Sequence, residues 1–120
     1  MRKPVGKVNL REKTTAHAGG EGAQLQSVAF LAKSLSDENR LRILACVSHG
    51  KRSVTGIVEE LGLSQPLVSH HLKELKRSLL VRIERNGPFI YYELSDKRIM
   101  EVVRVLDRVA NDLLSSRKLF

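Results

Sequence analysis

Residues 53–77, SVTGIVEELGLSQPLVSHHLKELKR, constrain this chain more than any other stretch. Apolar residues recur at helical spacing on both sides of Gly62-Leu63-Ser64, a break long enough only for a tight turn. Ser53 reads as the N-cap of the first helix and Gly62 as its stop. Ser64 reads as the N-cap of the second, with Pro66 in its first turn, where a missing N–H costs nothing. Two helices joined in this way form a helix-turn-helix. On a wheel of about 100° per residue, Val68, Leu72 and Leu75 share one face. Ser69, His70, Lys73 and Arg77 lie opposite, flanked by Gln65 and Lys76.

The apolar period then changes. VRIERNGPFIYYEL alternates on both sides of Asn86-Gly87, which predicts a β-hairpin. Pro88 belongs at the start of the return strand or in a longer loop. Upstream, residues 23–35 have helical spacing, and Ser36 or Asp37 caps a helix that ends near Gly50. Ser95 caps a last helix from about Asp96 to Ser116. The expected fold is mainly α with one small hairpin: four helices, the hairpin as a wing, then a fifth helix. Residues 1–22 carry five basic and two acidic residues and end in a glycine cluster, so they read as a flexible basic arm. Residues 23–120 form the winged helix-turn-helix domain.

Composition narrows the partner. Lys plus Arg number 21 against 13 Asp plus Glu, a net charge of +8, which points to an anionic partner. Nucleic acid is the first candidate and a membrane surface the second. Aromatic residues make up only 4%, which argues against a carbohydrate site or a stacking platform for single strands. A single cysteine, Cys46, excludes an internal disulfide and a cysteine-rich zinc site, and it fits a reducing compartment. The basic N-terminus has no apolar run after it, and no apolar run is long enough to span a bilayer. A cytoplasmic location is expected.

The outward face of residues 64–77 has the chemistry for double-stranded DNA. Gln65 can pair with a base edge, most naturally adenine. Ser69 and His70 can donate to bases or phosphates, and Lys73, Lys76 and Arg77 supply charge for phosphates. Arg82 and Arg85 on the hairpin are expected at a minor groove or the backbone. Ser64 and Asn86, at the helix start and the hairpin tip, complete the set. His70 and His71 diverge by about 100°, so they do not share a metal ion. His70 is assigned to DNA and His71 to packing.

LSDENRLRIL, VTGIVEELGLSQPLVSHHLKEL and VRIERNGPFIYYELS together resemble the ArsR/SmtB family of small winged-helix repressors. The likeness covers about residues 25–115. It implies a homodimer built through the first and last helices, with the fourth helix in a major groove. Periodicity supports a dimer independently. The last helix carries apolar residues around more of its circumference than one small core can cover, among them Val102, Val105, Leu106, Val109 and Leu113. Leu25, Val28 and Leu31 are the matching interface residues expected on the first helix.

The chain departs from the family pattern in several places. Leu67 stands where a small hydroxyl residue is common, and Ser78-Leu79-Leu80 lacks the usual glycine, predicting a less sharp helix end. Ser53 and Thr55 occupy the positions of a Cys-x-Cys metal pair. Asp96 and Asp112 match carboxylates of a second metal site, but Arg98 and Val109 replace its histidines. Neither metal site is carried over, no cofactor is expected, and the effector is left unidentified.

The expected function is a dimeric DNA-binding regulator, a repressor, that recognises an inverted-repeat operator. One rival is a metal- or thiol-responsive repressor using Cys46 and His49, which are i,i+3 on the second helix. Another is a winged-helix protein-interaction module. An enzyme is excluded as an expectation because no catalytic constellation is present: Glu59-Glu60 and Asp37-Glu38 read as helix faces and caps.

Overall fold

The computed structural model describes residues 18–117, with side chains from residue 22 onward. The chain divides into two units, one ending at Leu35 and one beginning at Ser36. The expectation of a basic arm falls on residues 1–17 and outside the described residues, except at its C-terminal end. There helix α1 (Ala18–Ser34) already begins, five residues earlier than expected. Glycine costs about 1 kcal/mol in a helix interior relative to alanine, so the glycine cluster read as a boundary. Leu25, Val28, Phe30 and Leu31 of α1 are all exposed.

The second unit is built from helices α2 (Glu38–Ser48), α3 (Val54–Leu61) and α4 (Gln65–Arg77), strands β1 (Val81–Asn86) and β2 (Phe89–Leu94), and helix α5 (Arg98–Arg117). The order is the expected one. Asp37 caps α2, its Oδ1 accepting from the Arg40 N–H at 3.1 Å. That bond holds the Asp37 carboxyl below its usual range. Ser53 caps α3 by accepting from the Gly56 N–H, and Ser64 caps α4 by accepting from the Leu67 N–H. Gly62 ends α3 at φ 69°, a conformation that suits a residue without a Cβ.

The core lies where α2, α3 and α4 meet. Ile43, Leu44, Cys46 and Val47 of α2, Ile57 of α3, and Val68, Leu72 and Leu75 of α4 are buried, closed by Leu80 and Val81. Each such side chain contributes about 1.5–3 kcal/mol on burial. The apolar face assigned to α4 from the sequence is therefore the core face.

The end of α4 corrects an expectation. Leu79 takes φ 70°, its N–H donates to Lys76 O at 3.0 Å, and the Leu80 N–H donates to Leu75 O at 2.9 Å. This pair of bonds is a Schellman motif, with Leu79 at the position that favours glycine. The helix end is sharply turned after all. Burial of Leu80 and Leu75 supplies the apolar contact that accompanies the motif. The Ser78 hydroxyl donates to the Glu74 and Leu75 carbonyls.

The hairpin also differs in detail. Asn86 pairs with Phe89, so Gly87 and Pro88 are the central turn residues and Pro88 belongs to neither strand. Gly87 at φ 64° followed by a proline of fixed negative φ has the sign pattern of a type II′ turn. Arg52 forms an isolated bridge to the outer edge of β2: its N–H donates to Tyr92 O at 2.9 Å, and the Tyr92 N–H donates back to Arg52 O at 2.8 Å.

Helix α5 starts at Arg98, and its cap is Asp96 rather than Ser95. The Asp96 Oδ1 accepts from the Arg98 N–H at 2.8 Å, while the Ser95 N–H donates to Leu80 O. No residue of α5 is buried. Ile99, Met100 and Val103 are partly covered, whereas Val102, Val105, Leu106, Val109, Leu113 and Leu114 are exposed. Among the described residues, no helix is long and apolar enough to cross a membrane.

Candidate nucleic-acid interface

The residues nominated on α4 form one surface. Its core face fixes the helix rotation, so Ser64, Gln65, His70, Lys73, Lys76 and Arg77 are exposed and Ser69 is half-buried. Gln65 and Ser69 are linked, the Gln65 amide Nε2 donating to Ser69 Oγ at 2.9 Å. Arg77 pairs with Glu74 at 3.1 Å, an exposed i,i+3 ion pair worth about 0–1 kcal/mol. Lys73 and Lys76 make no ion pair among the described residues.

The two histidines separate as their positions on the helix require. His70 is exposed. His71 is 5% exposed, and its ring meets that of His70 edge-on, with centroids 5.3 Å apart. Its Nε2 lies 3.8 Å from Asp37 Oδ1, beyond hydrogen-bond range, and its Nδ1 has no partner among the described residues. His71 thus packs between α4 and the start of α2.

The wing divides its arginines. Side chains alternate along a strand, so Arg82 and Arg85, three residues apart, project from opposite faces of the hairpin. Arg82 shares a face with its cross-strand partner Glu93 and pairs with it at 3.0 Å. Glu84 lies on the same face and pairs with Lys51 at 2.6 Å, and Lys51 sits 5.7 Å above the Tyr91 ring. That face is charge-balanced. Arg85 makes no ion pair among the described residues and is exposed near the tip with Asn86. The sequence treated the two arginines as one unit because it counted charge without following the strand's faces.

Cys46 and His49, the pair of the rival metal- or thiol-responsive reading, lie at the end of α2. Cys46 is 2% exposed, and burial first, then the Glu60 carboxylate, push its thiol up to about 11. A thiol so raised is protonated near neutral pH, which makes it a poor ligand and a poor nucleophile. With His49, Arg42, Ala45, Glu60 and Leu61 it lines a shallow cleft. Among the described residues, no group of three His, Cys, Asp or Glu is placed to hold a metal ion. Ser53 is occupied as a helix cap. Arg98 grips Asp96 with two nitrogens, its Nη2 at 2.7 Å and Nε at 3.1 Å, and lowers that carboxyl to about 2. The guanidinium satisfies a carboxylate that a cation would otherwise need.

Comparison with known proteins agrees with this architecture. Residues 37–82 match the model of the bacterial regulatory protein, arsR family. The transcriptional repressor SdpR of Bacillus subtilis is 32% identical over 85 residues, covering 68% of this chain and 94% of that protein. A biofilm growth-associated repressor of Xylella fastidiosa is 30% identical over 99 residues, covering 81% and 87%. Among solved structures, the homodimeric winged helix-turn-helix DNA-binding domain from Mycobacterium bovis superposes with a TM-score of 0.70 at 28% identity, covering 82% of this chain and 91% of that one. NolR from Sinorhizobium fredii gives 0.68 at 25% identity, covering 78% and 93%.

Proposed function

The chain belongs to the ArsR family of bacterial regulatory proteins, and on that premise we propose that it is a homodimeric transcriptional repressor that reads an inverted-repeat operator through α4. The observation that carries this reading is the outward face of α4. It presents Gln65, Ser69 and His70 toward base edges and Lys73 and Lys76 toward phosphates, while the opposite face is locked in the core. Phosphate contacts give salt-dependent affinity and the N-terminal residues of the helix give sequence choice. Arg85 and Asn86 at the wing tip reach the flanking groove or backbone. Arg82 contributes only by sharing or leaving Glu93.

The dimer supplies the second α4. The exposed apolar residues of α5, and separately those of α1, are surfaces that a second copy covers. A two-fold axis would set the recognition helices about 34 Å apart, one turn of duplex. Release is by an effector other than a metal bound at residues 96, 98, 109 and 112, through a dimer geometry that mis-spaces the helices, with a coupling of about 1–3 kcal/mol.

Footprinting on DNA upstream of the gene tests this. Two protected segments one helical turn apart are expected. A single protected segment, or protection with no preferred site, would overturn the inverted-repeat reading.

A further inference from the structure

Four other serines in helical or helix-end positions make a bond that Ser69 does not. Ser48, Ser78, Ser115 and Ser116 each donate the hydroxyl proton back to a carbonyl in the preceding turn, at 2.6, 3.0, 2.7 and 3.1 Å. Such back-bonding is one of the two outcomes open to a serine inside a helix, the other being to point outward. Ser69 makes no such bond among the described residues. It accepts instead, from Gln65 Nε2 at 2.9 Å.

The donor and acceptor count then fixes what this pair can offer. A glutamine amide has two N–H donors and one carbonyl acceptor. One N–H is used on Ser69, leaving the second N–H and Oε1 of Gln65 with no partner among the described residues. Those two groups are the complement of adenine N7 and N6–H in a major groove. The serine proton is likewise unused among the described residues. The bond also restricts the Gln65 rotamers before DNA arrives, reducing the entropy lost on binding.

We propose that Ser69 is a positioning residue. It orients the Gln65 amide so that the pair reads adenine at one position of each half-site. This inference rests on the DNA-binding reading above and extends it to a base and to the residue that enforces its choice.

The test uses the full-length protein and a pool of duplexes randomised around the protected site. Selection with the unaltered protein gives the preferred sequence, and anisotropy then compares adenine with guanine at each selected adenine. Discrimination of roughly five- to a hundredfold is expected at one position. Gln65→Ala should abolish it. Ser69→Ala should lower it to within about twofold by weakening the adenine duplex more than the guanine duplex. Ser69→Thr, which keeps the acceptor oxygen, should restore it, and Gln65→Ala with Ser69→Ala should match Gln65→Ala alone. The inference is overturned if Ser69→Ala keeps the discrimination, or if it weakens both duplexes equally, as a phosphate contact would. It is also overturned if Gln65→Ala leaves every base preference intact while binding persists. Absence of duplex binding by the unaltered protein would overturn the DNA-binding reading and this inference with it.

Discussion

Leu79 holds φ 70° with its side chain 72% exposed. A left-handed conformation costs a non-glycine residue about 1–2 kcal/mol, and here no burial offsets it. Glycine relieves that strain but loses more chain entropy on folding, by about 0.5–1 kcal/mol. Leu79→Gly should therefore stabilise the protein by up to about 1 kcal/mol and raise its melting temperature. A lower melting temperature would mean that the Leu79 side chain makes a contact outside the single chain. Cys46 gives a second prediction at this scale. Its folded pKa is raised from 9.0 to about 11, so its contribution to stability is intact below pH 9 and is lost as pH rises toward 11. The native thiol should resist alkylation near neutral pH and react once the chain unfolds. Rapid labelling of the folded protein would revive a thiol-responsive mechanism. Residue identity alone suggested a buried cysteine. It could not reveal Glu60 beside it, because that proximity comes from the packing of α3 on α2.

At the scale of the element, α4 was the most legible part of the chain. Val68, Leu72 and Leu75 define its buried face by spacing alone, and Ser64 and Pro66 define its start. The wing was legible as a hairpin but not in register. Asn86-Gly87 is a strong turn signal, yet Pro88 cannot donate to the ladder, and the turn settles one residue later on Gly87-Pro88. The Arg52 bridge left no trace in the sequence because one residue has no period. The Arg82–Glu93 pair follows from register: a two-residue turn on Asn86-Gly87 would set Arg82 against Tyr91, and the turn on Gly87-Pro88 sets it against Glu93. It bears on binding. Glu93→Gln leaves Arg82 uncompensated and should steepen the salt dependence of duplex affinity by up to about one per protomer. The gain should vanish when Arg82→Ala is added. An unchanged slope would place Arg82 off the DNA.

At the scale of the whole molecule, the twenty-residue α5 has no buried residue in the single chain. Its wide apolar stripe is more than one small core can cover, and Val102, Val105, Leu106 and Val109 are exposed. The stripe could not say which side meets α2, since that depends on how Ile99, Met100 and Val103 are set by the Asp96 cap. If a second copy covers the stripe, Leu106→Glu should convert a dimer into a folded monomer in sedimentation velocity and weaken operator binding sharply. A dimer that survives this change would place the interface elsewhere.

If the lysines of α4 meet phosphates, duplex affinity falls with salt in proportion to the contacts they make. Fluorescence anisotropy across a salt series should give a steep linear decline of log affinity with log salt for the unaltered protein. Lys73→Ala and Lys76→Ala should flatten that slope by about one for each phosphate contact removed, with the fold unchanged by circular dichroism. A slope that both substitutions leave unaltered would mean that this face of α4 does not meet DNA.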